Sequence, residues 1–190
     1  MFVGDAATFA VESEISQAYQ RLSFRGLGFF VIHLGGLVYG VKAPDATLLA
    51  CSFEQVCERL ESRGKHDGSV FSNVDAGGVA DAFTRAAYAP SSEETILGLS
   101  EAELRDAIYS NKLQWAPDGD EAFDDGSYVL QFDVGTRVRL IGFKHDSFRH
   151  EPATLREVWL EADAFYGVLS QWRDRFLAEW QAAPKEPDEY

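Results

Sequence analysis

The sequence predicts an α+β fold, in which an antiparallel sheet built from hairpins packs against several helices, including a long C-terminal helix. Three observations support this class. The predicted strands and helices are grouped along the chain instead of strictly alternating. Two short turns, near Gly35 and near Gly135, each join a pair of strand-like segments. The segment before Pro184 carries apolar residues at helical spacing, which predicts the C-terminal helix.

Length and composition indicate a folded protein. The chain has 190 residues, enough for one domain with a full hydrophobic core, and 46% of them are hydrophobic, which excludes a disordered protein. We expect one domain over residues 1–184 and a frayed tail over residues 185–190. The apolar run 27–32 is too short to cross a bilayer, and the N-terminus lacks the pattern of a secretory signal. We therefore expect a cytoplasmic protein.

The first part of the chain is predicted to form strands. Residues 8–15 alternate loosely and predict a first strand, whereas residues 16–25 predict a short helix or an irregular link. Residues 27–34 are apolar on both faces, as expected of a central strand. The pair Gly35-Gly36 then turns the chain into a second strand over residues 37–42.

Capping residues and helical spacing predict three helices in the middle of the chain. Ser52 with Gln55, and Ser100 with Glu103, form capping-box patterns, and Asp75 is the predicted N-cap between them. The buried stripes are predicted to be Phe53, Val56, Cys57 and Leu60 on the first helix, Val79, Phe83 and Ala86 on the second, and Leu104, Ala107 and Ile108 on the third.

The strand pair around Gly135 is the strongest hairpin in the sequence. A two-residue turn would oppose Phe132 to Arg139 and place a charge on the buried face. A three-residue turn over residues 135–137 opposes Phe132 to Leu140 instead and keeps apolar residues together. We therefore predict the three-residue turn.

The end of the chain is predicted to be a loop, a strand and a helix. The loop covers residues 144–152. Residues 154–160 are predicted to form a short strand, with a helical turn as the alternative, and the helix begins at an Asp163 cap and ends at Pro184. The helix stripe is predicted to be Phe165, Val168, Leu169, Trp172, Phe176 and Trp180.

An acidic loop leads into the Gly135 hairpin and is the candidate functional feature. Residues 113–136 hold six acids and no Lys or Arg. Loops held by a rigid scaffold are common recognition sites. Trp115, at the entry, either packs the loop down or offers an aromatic anchor to a partner. The candidate binding residues are Trp115, Asp118, Asp120, Glu121, Phe123, Asp124, Asp125 and Tyr128.

The net charge narrows the possible partners. It is −14, from 31 acids against 17 bases. Nucleic acid and anionic membranes are poor partners for such a chain, because phosphate binding needs Lys and Arg. A basic protein would be captured quickly, although acidity alone also keeps a protein soluble.

Motifs for catalysis and metal binding are weak. A Gly-rich phosphate loop, a nucleophile elbow and His-Glu-x-x-His are all missing. The segment from Asp118 begins like a calcium loop, but Ala122 stands at a ligand position and Phe123 replaces the required Gly. We expect no cofactor. The alternative to a binding protein is a calcium- or magnesium-binding regulatory domain, or a small hydrolase that uses Asp120 and Asp125.

Cysteines and histidines give little evidence for a metal or catalytic site. Cys51 and Cys57 lack zinc-site spacing and are predicted to be buried thiols in a reducing compartment. His145 and His150, five residues apart in a predicted loop, are a weak metal signal.

Three stretches of the sequence resemble a known family. They are residues 3–14 (Val-Gly-Asp-x-x-Thr-Phe-Ala-Val-Glu-Ser-Glu), residues 119–133 (Gly-Asp-Glu-Ala-Phe-Asp-Asp-Gly-Ser-Tyr-Val-Leu-Gln-Phe-Asp), and residues 161–172 with a Phe-Tyr-Gly core. They look like immunity protein family 42, which is encoded beside bacterial polymorphic toxins. The resemblance spans nearly the whole chain and is weak over residues 64–100. It implies a cytoplasmic antidote that binds and blocks a cognate toxin domain, not an enzyme, and it carries over no catalytic residues.

The resemblance and the charge lead to one hypothesis. Many toxins that attack nucleic acids or nucleotides have basic clefts, and a rigid acidic loop could occupy such a cleft in place of phosphates. Charge would speed association, and buried aromatic anchors would slow release.

Overall fold

A computed structural model confirms the α+β class and describes residues 1–88, 95–115, 121–146 and 149–186. The strands are β1 (Phe2–Gly4), β2 (Phe9–Tyr19), β3 (Gly26–Leu34), β4 (Leu37–Tyr39), β5 (Thr47–Leu48), β6 (Ser127–Val134), β7 (Arg137–Asp146), β8 (Arg149–His150), β9 (Arg156–Glu161) and β10 (Lys185–Glu186). The helices are α1 (Leu49–Glu61), α2 (Ala76–Tyr88), α3 (Glu101–Ser110) and α4 (Ala162–Ala182). Short 3-10 turns cover Ser69–Phe71, Glu121–Phe123 and Pro152–Thr154.

The described strands form two sheets. In the first, β1, β2, β3 and β4 lie in sequence order, with β10 beside β2 and β5 beside β3; in the second, β6, β8 and β9 all pair with β7. Every described pair is antiparallel except β10 with β2. In that parallel pair Lys185 lies opposite Ala18, so the first two residues of the segment 185–190 form a short strand. Residues 187–190 of the tail lie outside the described residues.

The β6–β7 hairpin separates two hydrophobic cores. On one face, Val129, Val138 and Leu140 join a core that also contains side chains of the first sheet, α1 and α4. On the other face, Leu130 and Ile141 join a core made with α2 and α3. The hairpin is therefore buried on both sides and holds the two halves of the structure together.

This two-sided burial explains why the predicted turn is wrong. The turn has two residues, Gly135 and Thr136, and Phe132 lies opposite Arg139. The prediction assumed one buried face, for which a charged residue opposite Phe132 counts against a register. With apolar residues on both faces, alternation cannot choose between registers that differ by one residue.

Arg139 shows how a charge is accommodated at that position. Its side chain is buried, but each nitrogen has an acceptor. Nε donates to the Glu157 carboxylate at 2.8 Å, and the two terminal nitrogens donate to the carbonyls of Phe71 at 3.1 Å and Val74 at 2.9 Å. A buried charge that is paired and fully hydrogen-bonded avoids most of the cost of leaving water.

In the first sheet, β2 is longer than predicted and β1 is an additional strand, whereas β4 is shorter than predicted. β2 continues to Tyr19, past a bulge between Ile15 and Gln17, where the sequence predicted a helix or an irregular link. β1, which was not predicted, pairs with it. β3 and the Gly35-Gly36 turn agree with the prediction, but β4 ends at Tyr39 instead of residue 42.

Two of the three predicted middle helix starts are confirmed. The Asp75 carboxylate accepts from the Gly78 N–H at 2.8 Å at the start of α2, and Ser100 and Glu103 form the expected capping box on α3. The Ser52 cap is wrong, because Ser52 is buried inside α1 and the helix starts without a side-chain cap. The apolar spacing of α1 was correct, but it does not show where the first turn begins.

α4 confirms the prediction of a long C-terminal helix. Phe165, Leu169, Trp172 and Phe176 are completely buried along one side. The N-cap is Glu161, so Asp163 lies in the first turn instead of capping it. No helix in the described part of the chain is long and apolar enough to span a membrane.

The segment predicted as a loop over residues 144–152 is mostly extended in its described residues, 144–146 and 149–152. β7 continues into it, and β8 pairs back so that His145 lies opposite His150. The His150 ring bonds Asp81 on α2 at 2.7 Å, and the His145 ring stacks on Tyr88. Both rings therefore contribute to packing against α2.

The cysteines differ from their prediction in burial. Cys51 is exposed near the start of α1, and Cys57 is half-buried about 1.7 turns later. Both were predicted to be buried.

Candidate functional site

The acidic loop is held at both of its described ends by aromatic side chains. Trp115 lies in the core at the entry, and Phe123 lies in the same core at the exit. Residues 116–120, which include the predicted binding residues Asp118 and Asp120, lie outside the described residues.

A short extended segment leads into the loop and lies along the edge of β6 that faces away from β7. Its hydrogen bonds run from the Trp115 N–H to the Val129 carbonyl at 2.9 Å and from the Gln131 N–H to the Leu113 carbonyl at 2.8 Å. The loop therefore leaves from a segment bonded to the strand into which it later runs. This arrangement closes the loop at its base.

Trp115 packs the loop down, which is the first of its two predicted roles. Its side chain is only 1% exposed and lies among the rings of Phe9, Phe30 and Phe165, with centroids 6.3–6.5 Å away. Its indole ring has almost no surface with which to contact a partner.

The exit of the loop is tied to the first sheet. Glu121–Phe123 forms a 3-10 turn, and the carbonyl of buried Ala122 accepts from the Val41 N–H at 2.8 Å. Gly40 allows this contact, because a Cβ at that position would lie 2.8 Å from the same carbonyl oxygen. Phe123 is 9% exposed and packs below the turn.

The described acids of the loop divide into two kinds. Glu121 and Asp124 are exposed. Asp125 is half-buried; its carboxylate lies 2.6 Å from the Lys144 ammonium and accepts from the Ser127 N–H at 3.1 Å. Asp125 therefore helps to hold the loop, whereas Glu121 and Asp124 are available to a partner.

Tyr128 lies at the foot of the loop. Its half-buried ring packs against Phe83 and Phe143, with centroids 5.2 and 5.6 Å away. It joins the exit of the loop to the second core and keeps part of its surface exposed.

Arg59, a residue that the sequence analysis missed, holds the start of the loop from below. Its guanidinium lies 4.4 Å from the centroid of the Trp115 ring. It donates to the Gln114 carbonyl, to the Lys112 carbonyl at 3.2 Å and to the side-chain oxygen of Gln131 at 3.1 Å. Burial lowers the pKa of Arg59 to about 9, so the group stays charged at neutral pH. The sequence contained one indication that Arg59 is buried, because it lies three positions after Val56, a residue of the predicted buried stripe.

A polar network continues from Arg59 towards α4. The Gln131 amide donates to the Tyr166 hydroxyl at 2.9 Å, and that hydroxyl donates to the Asp133 carboxylate at 2.9 Å. Burial, together with the adjacent Asp133 carboxylate, raises the pKa of Tyr166, so the hydroxyl keeps its proton. The network therefore runs from backbone carbonyls at the start of the loop, through the side chains of Arg59 and Gln131, to β6 and α4.

His66 lies beside this network and is almost fully buried. Its Nδ1 lies 3.1 Å from the Asn111 carbonyl and 3.2 Å from the Lys112 carbonyl, which assigns the proton to Nδ1. Nε2 has no hydrogen-bond partner among the described residues. Burial, and then the positive charge of Arg59, lowers the pKa of His66.

We expect His66 to make stability pH-dependent in mild acid. The folded pKa lies below the unfolded value of 6.5, so the unfolded chain binds more protons as the pH falls past 6.5. The free energy of unfolding should fall by up to about 1.4 kcal/mol per pH unit from this residue. Urea unfolding of the wild type and of His66→Asn at pH 7.5 and 5.5 measures the effect. Equal losses in the two proteins would assign the acid sensitivity to other groups.

The loop and its surroundings were also candidates for a metal site. In the ranges that the structure describes, no group of three or more His, Cys, Asp or Glu side chains is arranged to hold a metal ion. The described acids of the loop instead point to solvent or pair with Lys144.

An α+β domain that holds a charged loop at both ends is a scaffold suited to recognising another protein. The family model of immunity protein 42 matches residues 1–175, and the chain belongs to that family. Membership implies an immunity protein, which inhibits a toxin, and not an enzyme.

One solved structure has a related fold. It is the CdiI protein from Burkholderia dolosa AUO158, with a TM-score of 0.55 and 15% identity, and the match covers 92% of this chain and 99% of that chain. At this identity the likeness shows a shared fold alone. No curated protein matches the chain.

Proposed function

We propose that this protein is a cytoplasmic immunity protein that binds one cognate toxin domain and neutralises it by placing its acidic loop in a basic active cleft. The family match over residues 1–175 supports the toxin-neutralising role. The observation that carries the binding mode is the attachment of the loop at Trp115 and at Ala122 and Phe123, with the exposed carboxylates of Glu121 and Asp124 beside the second attachment.

Fixed ends favour binding because less conformational entropy is lost when the loop meets its partner. Trp115 and Phe123 supply this rigidity from inside the core. Arg59 and the Ala122 carbonyl add hydrogen bonds at the entry and the exit. The two described ends of the loop are thus held in place without help from the toxin.

The charges supply the attraction. Glu121 and Asp124 are the described acids that face solvent, and we assign Asp118 and Asp120 the same role. A protein of net charge −14 also steers a basic partner over distances of about 10 Å, the Debye length at moderate salt. The aromatic residues predicted as anchors act differently in this proposal: Trp115 and Phe123 support the loop, and Tyr128 can contact the toxin only with its exposed part.

Binding to the toxin domain encoded by the adjacent gene tests the proposal. Calorimetry should give a one-to-one complex, and its Kd should weaken by at least about tenfold between about 50 and 500 mM NaCl, because exposed charge pairs are screened. Co-expression should also restore growth to cells that make the toxin. A toxin domain that neither binds nor loses its toxicity would overturn the proposal.

A further inference from the structure

The strand β9 lies at an edge of the second sheet. Among the described residues it pairs on one side only, with β7, from Glu161 opposite Arg137 to Arg156 opposite Gly142. An edge strand carries a row of backbone groups that can pair with another chain.

The backbone direction in β9 shows which groups are available. The Ala162 N–H donates to the Thr136 carbonyl at 2.8 Å, so Ala162 faces β7. Successive residues of a strand alternate in direction, so Leu160 also faces β7, whereas Trp159 and Glu161 face away. By the same alternation, Val158 faces β7 and Glu157 faces away.

The side chains of the residues with outward backbone groups lie on one face of the sheet and are exposed at this edge. Trp159 is 38% exposed, whereas Trp115 and Trp172 are buried. It is flanked along the strand by the exposed carboxylates of Glu157 and Glu161. Tryptophan is one of the residues that contribute most to protein interfaces.

Neighbouring side chains hold Trp159 in place. The guanidinium of Arg137 lies 5.0 Å from its ring centroid, and its indole N–H donates to the Glu157 carboxylate at 2.9 Å. Glu157 is itself held by buried Arg139. This edge is therefore an ordered surface whose side chains need little rearrangement to bind.

We propose that β9 is a second contact for the toxin, in which an extended, basic segment of the toxin domain adds to the sheet along Glu157, Trp159 and Glu161. This inference rests on the proposed function. An added strand would lie about 4.8 Å from β9 and would meet the two carboxylates directly, whereas Arg137 and Arg139 lie one strand further in. The expected segment alternates, with Lys or Arg opposite the acids and an apolar residue opposite Trp159.

A second copy of this chain fits the edge less well. Antiparallel pairing of two β9 strands about Trp159 would set Glu157 of one copy opposite Glu161 of the other, and like charges directly opposite are destabilising. Each copy also carries a net charge of −14. The same charges favour a basic strand.

Both contacts are within reach of one partner. The segment that leads into the acidic loop, β6, β7 and β9 lie side by side, so the two edges are about 15 Å apart at a strand spacing of about 4.8 Å. An interface of ordinary size, about 800 Å² on each partner, can include both.

Amide hydrogen exchange measured by NMR tests the inference residue by residue. In the protein alone, the amides of Glu157, Trp159 and Glu161 should exchange quickly, and those of Val158 and Leu160 slowly. In the complex with the toxin domain from the adjacent gene, the first three should slow by at least about tenfold. A complex that forms without this protection overturns the inference and leaves the proposed function standing, whereas absence of any complex overturns both. If the same amides become protected without toxin as the concentration of the protein is raised, the occupant of the edge is a second copy, and the inference is overturned.

Two variants at position 159 separate the contribution of the side chain to toxin binding from that of the backbone. Trp159→Ala should weaken toxin binding by about tenfold or more, as expected of an aromatic interface residue. Trp159→Pro also removes the outward N–H and should weaken binding further; proline is tolerated at an edge-strand position whose N–H faces solvent. The matched control is Phe2→Ala, which removes an aromatic side chain of similar exposure (43%) from edge strand β1 of the other sheet and should leave the Kd unchanged. Equal effects of Trp159→Ala and Phe2→Ala would count against β9.

Discussion

Replacement of Arg59 by leucine is expected to lower the free energy of unfolding by about 3–5 kcal/mol, because buried acceptors lose their donors. The guanidinium donates to the carbonyls of Lys112 and Gln114 and to the side chain of Gln131, and it packs on the Trp115 ring. Leucine fills part of the space but donates no hydrogen bond. Urea unfolding of the two proteins measures the difference.

Arg63→Leu is the matched control for this substitution. Arg63 lies four residues further along and pairs with Asp163, but both side chains are largely exposed. Water replaces such a partner easily, so this variant should lose much less stability than Arg59→Leu. If the two variants lost similar amounts, Arg59 would not be the support of the loop described here.

Charge reversal in the loop is the second large effect that we expect. Lysine at Asp118, Asp120, Glu121 and Asp124 should weaken the toxin complex by at least about 100-fold, or about 2.7 kcal/mol, through repulsion from a basic cleft and slower association. Asp125 is left unchanged, because its carboxylate pairs with Lys144 and helps to hold the loop. Calorimetry gives the Kd, and growth after co-expression with the toxin gives the protection.

A second fourfold variant controls for the change in net charge. Glu54, Glu61, Asp174 and Glu179 are exposed on α1 and α4, and their replacement by lysine alters the net charge by the same amount. We expect this variant to lose only the long-range part of the attraction and to keep protecting cells. Full protection by the loop variant, or equal weakening by the two variants, would show that the loop is not the contact.

The helices show what could be predicted from the sequence and what could not. The α4 stripe and the Ser100 and Asp75 caps were predicted correctly, because local side-chain chemistry determines them. The start of α1 was missed, because it follows directly from β5 and depends on tertiary packing. Ser52 has the residue type of a cap but lies inside the helix.

The Gly135 hairpin shows more clearly why the sequence alone was not sufficient. Both registers near Gly135 are compatible with the pattern of apolar residues, and the choice depends on which elements cover each face. The sequence does not show that the segment before α2 supplies carbonyl acceptors near Arg139, since Phe71 and Val74 are distant along the chain. Correct assignment of the register required knowledge that both faces are buried.

The features of the proposed site differ in how far they can be recognised from the sequence. The acidic stretch is a run of neighbouring residues, and packing of the loop was one of the two roles predicted for Trp115. Arg59 was missed, because a charged residue on a helix is usually solvent-exposed and its acceptors lie more than fifty residues away. The exposed position of Trp159 depends on which strand forms the edge of the sheet, and that order is not encoded in any local pattern.

A crystal structure of the complex with the cognate toxin domain would show whether the acidic loop occupies the active cleft. We expect Glu121 and Asp124 to lie within hydrogen-bond distance of Lys or Arg side chains inside that cleft. A complex whose contact surface leaves the loop in solvent and is mainly apolar would contradict the proposed mechanism, even if the protein still protects the cell.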